Sequence, residues 1–292
     1  LKIPIFTDDP GWHGAALKQA FEQQGVEAIF VSLQQCVTHV SATSTHIIIP
    51  GFETLPKAAF VRGVSGGTLQ QVITRLNVLH ILALQNVKIY NDGRAIERTV
   101  DKALTSFLLQ QQGIPTPETW VCESRHAAEA IRLEAKQNGQ ILIMKPLFGS
   151  QGLGVRQLAE NDPLPVPMEQ FVDGVYYLQA MIETPEYPHD YRIFVINKNV
   201  VAAMKRIGNT WVNNVAAGGR CENVEPNSQL KELAIQATEA LNIDYAGIDI
   251  IQAKNGEYFV LEVNSIPAWR GLQSVTNTNV AALLAADLLE KI

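Results

Sequence analysis

Residues 247–269 read GIDIIQAKNGEYFVLEVNSIPAW, two apolar runs around Asn255-Gly256, a dipeptide that favours a tight β-hairpin. A two-residue turn there sets Lys254 against Glu257 and, counting outward, Asp249 against Glu262. Side chains alternate along a strand, so Asn264 shares the face of Glu262. Opposed carboxylates with Cβ atoms roughly 5 Å apart destabilise a sheet, and burying them unpaired is worse. Any fold of this chain has to bring positive charge to that hairpin.

The 292 residues suffice for two or three domains and a large core. An apolar share of 47% against 18% charged residues describes a globular chain and excludes a disordered one. The net charge of -6 argues against a protein that coats nucleic acid, while permitting a local basic site. Cys36, Cys122 and Cys221 are far apart and in no CxxC spacing. They fit buried thiols in a reducing compartment better than disulfides or zinc. No apolar run approaches the length of a membrane span and no signal peptide precedes the first strand, so the expected location is cytoplasmic, without a membrane partner.

KIPIFTD, EAIFVSL, THIIIP and VKIYND are short apolar runs separated by helical patterns at 15–24 and 69–84. This alternation predicts a parallel α/β unit over 1–92, with ligands beyond the carboxyl ends of its strands, where DDPGWHG and PGFETLP follow the first and third. A helix is predicted over 94–112, stopped by Gly113-Ile114-Pro115. A strand, a helix ending near Asn138-Gly139 and the strand QILIMKP follow. The texture then turns to consecutive β segments, GVRQL, MEQFV, YYLQAMI, YRIFVIN and NVVAAMKRI, before helices at 228–241 and 278–292. The expected organisation is an N-terminal α/β domain (1–92), a central portion with the glycine-rich run (93–184) and a C-terminal portion with the acidic hairpin (185–292).

The run KPLFGSQGLGVRQL lacks the Gly-Lys-Ser/Thr end of a P-loop and the spacing and helix of a dinucleotide site. A strand follows it, so Gly149, Ser150, Gln151, Gly152, Leu153 and Gly154 bend a hairpin. Its glycines either free backbone N–H groups for a phosphate or make a plain turn. Lys145 ends the strand feeding that loop. Lys102 sits in the helix before it, where a solvated lysine is the ordinary reading. In DYRIFVINKNVVAAMKRIG, a turn at Lys198-Asn199 would oppose Arg192 to Lys205 and aim Arg206 at the other face, unless the turn is longer. Cations opposed in so apolar a hairpin fit an anionic ligand. Two acids and an amide at Asp249, Glu262 and Asn264 are either oxygen donors of the kind magnesium takes together with nucleotide phosphates, the favoured reading, or acids satisfied by a helix or an arginine. The joint pattern describes a nucleoside triphosphate site with a metal.

Four stretches in order resemble the ATP-grasp superfamily in its branch of RimK-like glutamate ligases: DKALTSFLLQQQGIPTPETW, IMKPLFGSQGLGV, AAMKRIG and LEVNSIPAWRGL. The similarity runs from about Asn91 to the end of the chain. It implies an ATP-grasp fold (α/β and α+β) behind a Rossmann-like pre-ATP-grasp domain, with ATP and magnesium or manganese as cofactors. It further implies metal ligation by Asp249, Glu262 and Asn264, nucleotide contacts by Lys102 and Lys145, and cover of the triphosphate by Gly149–Gly154. LQAMIET matches the linker that hydrogen-bonds adenine through Gln179, Ala180, Met181 and Ile182, with Glu183 at the ribose. Arg192, Arg206 and Asn214 match residues around the transferred phosphate.

The ribosomal-protein ligases of this branch are basic where Val212, Ala216 and Ala217 stand. Cofactor-modifying members, such as tetrahydromethanopterin glutamate ligases, therefore fit at least as well as a peptide ligase. Trp12, His13, Arg62, Trp211 and Trp269 could line a pocket for a flat acceptor, although each aromatic is individually explained by packing. The implied partners are a small carboxylate acceptor and an amino acid, L-glutamate first; a homodimer is common in the family. The implied reaction is amide formation through an acyl phosphate, without a covalent enzyme nucleophile. A kinase-like phosphotransferase shares several of these features but would carry His-Arg-Asp and Asp-Phe-Gly segments, which are missing here. A non-catalytic ATP sensor would not need three metal ligands.

Overall fold

The computed structural model describes residues 1–149, 154–158, 164–165, 174–185, 187–208 and 219–292. Its first part runs β1 (Lys2–Phe6), α1 (Gly11–Gln23), β2 (Glu27–Val31), β3 (Val37–Val40), β4 (Thr45–Ile48), β5 (Ala58–Val61), α2 (Leu69–Leu84) and β6 (Lys88–Tyr90). Strands β2, β1, β5 and β6 lie side by side in that order, all parallel, as the alternation predicts. One strand differs from expectation. THII pairs with Val37–Val40 as a separate antiparallel ribbon, and the sheet instead takes AAFV at 58–61. That strand is buried throughout but short, with a single β-branched residue, so it carries little local strand signal. DDPGWHG does follow β1, whereas PGFETLP follows the ribbon.

The helix expected at 94–112 is two helices, α3 (Gly93–Val100) and α4 (Lys102–Gln111). Asp101 leaves helical geometry between them, and its carboxylate accepts the amides of Ala103 and Leu104 as the N-cap of α4. This break makes Lys102 the first residue of the second helix. Next come β7 (Thr119–Cys122), α5 (Arg125–Gln137), β8 (Leu142–Lys145), β9 (Arg156–Gln157) and β10 (Tyr176–Ala180), forming an antiparallel sheet in the order β7-β10-β8-β9. The glycine-rich run thus connects two paired strands. MEQFV lies outside the described residues.

The last part contains β11 (His189–Ile196), β12 (Asn199–Ile207), β13 (Arg220–Asn223), α6 (Ser228–Ala240), β14 (Tyr245–Gln252), β15 (Tyr258–Asn264), α7 (Arg270–Gln273) and α8 (Val280–Glu290). Its antiparallel sheet has the order β13-β12-β11-β14-β15. The β11–β12 turn uses Asn197 and Lys198, both with positive φ, and not Lys198-Asn199. A bulge follows, so Arg192 faces Met204 rather than Lys205, and Arg206 falls on the same face as Arg192. In β14–β15 the ladder ends at Gln252 and Tyr258, leaving a turn at 253–257 that is longer than expected. A bulge at Leu261 offsets that difference, and Asp249 does face Glu262.

One core cluster joins the first and last sheets, with Ile3, Phe60 and Tyr90 packed alongside Phe194, Tyr245, Trp269 and Leu284. Asn91, wholly buried, stitches the seam with its side-chain amide. Nδ2 donates to the carbonyls of Tyr245 and Ser265, both at 2.7 Å, and Oδ1 accepts the amides of Asp244 and Tyr245. Among the described residues no helix is long and apolar enough to cross a membrane.

Candidate active site

The face that carries Asp249 holds a chain of four buried charges. Arg192 donates to Asp249 through Nε and, at 2.8 Å, through Nη2. Arg206 meets the same carboxylate at 2.9 Å and grips Asp190 with Nε at 2.6 Å and Nη2 at 2.9 Å. Burial alone would push the Asp249 carboxyl up, but the two guanidinium groups outweigh it and hold the group below its usual range. Asp190 is bonded to one guanidinium and has a carboxylate neighbour, so burial prevails and its carboxyl is pushed up despite Arg206 and the more distant Arg192. The positive charge that the hairpin demanded is therefore arginine on Asp249.

Glu262, across from Asp249, faces two lysines. Burial lowers Lys145 to about 8 against the pull of Glu262, and Lys102 adds to the lowering. Burial likewise lowers Lys102, opposed by Glu262 and Asp101. Lys145 donates to Gln179 Oε1 at 2.5 Å, and the Gln179 amide is fixed by Thr119 Oγ1 and the Tyr177 hydroxyl. Lys102 donates to the carbonyls of Leu147 and Gly149, the start of the glycine-rich loop. Gly149 and Gly154 both adopt positive φ, a conformation that suits glycine. Two ammonium groups beside one carboxylate leave positive charge available for an anion.

Asn264 lies across from Gly247 and donates weakly to its carbonyl at 3.4 Å. Gly247 clears space for Arg192: a Cβ there would stand 3.1 Å from Arg192 Cδ and 3.0 Å from Pro267 Cβ. In the linker the amides of Ala180 and Met181 already donate to Glu118 and Ile141, while Gln179 contributes its side chain. Ile182 is half-buried beside them. Glu183 is exposed, pairs with Lys254 at 2.6 Å and accepts its amide, which ties the linker to the β14–β15 turn.

The structure brings Trp12, His13, Arg62 and Trp269 together. His13 Nε2 accepts the amides of Trp269 and Arg270, capping the short α7. Burial, with help from Arg62 and Arg270, lowers the imidazole to about 4, so it is a neutral acceptor and not a base. Trp269 is a core residue rather than an open wall, edge-on to His13 and Phe194. Trp12 is exposed beside a cleft of about 550 Å³ whose walls include Gln19, Gln23, Gln273 and Asn279. Ser150, Gln151, Gly152, Trp211 and Asn214 lie outside the described residues.

Asp190 and Gly247 escaped the sequence reading. Asp190 stands two residues before Arg192, on its face of β11, and the correct β12 register would have set it against Arg206. The chemistry of the donors fits a metal and a nucleotide. Asp249, Glu262 and Asn264 offer two carboxylates and an amide on one face, hard oxygen donors of the magnesium type. The buried ammonium groups next to them suit phosphates.

The sequence model of the RimK-like ATP-grasp domain matches residues 99–288. The tetrahydromethanopterin:alpha-L-glutamate ligase of Methanocaldococcus jannaschii is 38% identical over 213 residues, 70% of each chain. Its namesake in Methanococcus maripaludis is 27% identical over 294 residues, covering 99% of this chain and 98% of that one. Among solved structures, the ATP-grasp ligase PsnB complexed with a phosphomimetic variant of its minimal precursor, Mg and ADP superposes with a TM-score of 0.75 at 20% identity, over 99% of this chain and 98% of that chain. The fold is therefore that of ATP-grasp ligases, and this chain belongs to the RimK-like ATP-grasp family.

Proposed function

We propose that this chain uses ATP to phosphorylate a carboxylate of a small cofactor, a pterin of the tetrahydromethanopterin type, and joins that carboxyl to the amine of L-glutamate. The coarser activity, ATP-dependent amide formation by a ligase, follows from the family and from relatives that are named ligases. The observation that carries the reading is the line of charge across one sheet face, Arg206, Arg192, Asp249 and Glu262, ending beneath Lys145 and Lys102.

A carboxylate is a poor electrophile. In the proposed reaction its oxygen attacks the γ-phosphorus, the bond to the ADP oxygen breaks, and an acyl phosphate forms. The amine then attacks the acyl carbon, inorganic phosphate leaves, and the amine gives up a proton. Negative charge grows on the transferred phosphoryl group, where fixed cations are most effective. Arg192 and Arg206 would supply them, pre-aimed by Asp190 and Asp249, while Lys102 and Lys145 hold the nucleotide phosphates. Magnesium or manganese on Asp249, Glu262 and Asn264 would supply additional charge neutralisation. The glycine-rich loop, tethered by Lys102, would exclude water from the acyl phosphate. The phosphotransferase and sensor readings draw no support from relatives that are named ligases.

The test is the mass of the product formed when the protein is incubated with an extract of its source cells, ATP, magnesium and isotopically labelled L-glutamate. One labelled glutamyl unit on a pterin is the expected result. Label on a ribosomal polypeptide would replace the acceptor assigned here. With hydroxylamine in place of glutamate, the acyl phosphate should be trapped as a hydroxamate.

A further inference from the structure

The parallel sheet has its topological switch between β1 and β5: the chain leaves β1 for β2 on one side and returns as β5 on the other. Ligands of such sheets bind in the crevice that opens there, beyond the carboxyl ends of the strands. The residue that leaves β5 at this point is Arg62. Its amide and that of Gly63 both donate to the Phe6 carbonyl, closing the floor of the crevice.

The Arg62 side chain lacks the partners that a shielded guanidinium ordinarily has. It lies over the Trp269 ring, Cζ 5.4 Å from the centroid, and makes no hydrogen bond or ion pair among the described residues. Its Nε is fully shielded and unpartnered, as is Nε1 of Trp269 in the same contact. The Nη1 and Nη2 groups of Arg62 are not shielded in this way, and they are the donors that an acceptor from a ligand could meet. The neighbours supply no such acceptor. His13 already uses Nε2 on two backbone amides, the Tyr245 hydroxyl donates to the Val61 carbonyl and makes no hydrogen bond to Arg62, and Asp9 is exposed and influences Arg62 only at a distance.

Arg62 is linked to the proposed reacting centre through one short segment of chain. The Ala268 carbonyl, one residue before Trp269, accepts a long hydrogen bond from Arg192 Nη1 at 3.5 Å. Arg62 and Arg192 therefore approach the same segment, 267–269. Arg192 and Arg206 are committed to Asp249 and Asp190, whereas Arg62 has no acidic partner among the described residues. Arg270, on α7 beyond His13, is a second cation there and is exposed.

We infer that Arg62, backed by the Trp269 ring and with Arg270 beside it, is the clamp that holds the side-chain carboxylate of the incoming L-glutamate. A carboxylate presents acceptors only, matching donors only, and the planar guanidinium fork takes it bidentately. The assignment rests on the proposed ligase reading. The site takes a dicarboxylic amino acid in preference to its amide, because L-glutamine offers one acceptor oxygen in place of two and no charge to pair with Arg62.

Trp269 provides the signal for the test. The protein, held with magnesium and a non-hydrolysable ATP analogue, is titrated with L-glutamate while tryptophan fluorescence is followed. Saturable binding is expected, weakened about 10- to 100-fold in Arg62→Gln. L-Glutamine should bind the wild type and the variant with similar weakness. Arg62→Lys should recover part of the loss, which a merely structural role would not produce, and thermal midpoints check that both variants fold. Equal glutamate affinity in Arg62→Gln, absence of glutamate binding to the wild type, or displacement by inorganic phosphate at matched concentration would each overturn the clamp. The ligase reading is tested separately by labelled product, so an active enzyme indifferent to Arg62 sinks only this inference.

Discussion

Asp190 and Asp249 share one guanidinium, that of Arg206, which grips the first carboxylate with two nitrogens and reaches the second at 2.9 Å. Asp249 consequently has two tasks, as an anchor for buried arginines and as a candidate metal ligand. Glu262, opposite it, has no such anchoring role among the described residues.

The two acids should therefore separate on substitution. Asp249→Asn leaves Arg192 and Arg206 short of a buried counter-charge and should cost about 3–5 kcal/mol of stability. Glu262→Gln removes the carboxylate beside Lys102 and Lys145 but strands no guanidinium, so it should cost less, about 1–2 kcal/mol, while ATP-dependent ADP release falls by at least about 100-fold. Urea titrations and a coupled ADP assay measure both. Equal destabilisation in the two variants, or full activity in Glu262→Gln, would show that this division of roles is wrong.

Gly247 should not tolerate a methyl group. Its φ lies outside the left-handed region, so the requirement is space and not backbone freedom. An added Cβ would meet Arg192 Nη1 at 3.3 Å as well as Arg192 Cδ and Pro267. Gly247→Ala should cost about 1–3 kcal/mol and lower kcat with little change in KM for ATP, since Lys102 and Lys145 are untouched. Steady-state kinetics with ATP varied would reveal the split; a rise in KM alone would contradict it.

Acid should weaken the seam at His13. Its folded pKa of about 4 lies below the ordinary value of 6.5, so the unfolded chain binds the extra proton first. The stabilisation is complete above about pH 6.5 and is lost as pH falls toward 4. Because the ring is partly open to solvent, the loss should be about 1–2 kcal/mol rather than the full unscreened value. His13→Gln can still accept the amides of Trp269 and Arg270 but does not titrate. The difference in urea midpoint between pH 7 and pH 5 should shrink in that variant, and an identical difference in both proteins would count against the assignment.

The sequence was most legible where chemistry is local. The helix at Leu69–Leu84 shows its period, and the glycine-rich run joins β8 to β9 as read. Register was less secure. The pairing of Asp249 with Glu262 emerged from a turn assigned too short, because the bulge at Leu261 shifts the ladder by the missing step. On β11–β12 the bulge worked against the reading: moving the turn by one residue shifts the pairing by two and leaves the faces unchanged, and the unread bulge at Val201 is what puts Arg206 on the face of Arg192 and Asp190. The strand AAFV gave too little local pattern to be distinguished. Contacts such as Arg62 on Trp269 join residues brought together only by tertiary packing, which no local spacing encodes.

The side chain of Asn91, bonded at once to the start of β14 and to Ser265 beside Asn264, has a bearing on how such a chain can change over generations. Alongside it, Tyr90 binds Asp287 and Lys88 binds Asp244. The opening α/β unit is consequently not an exchangeable cassette. A graft carrying a different specificity would have to arrive with matching groups at these three positions, or the strand that ends in Asn264 would lose its support.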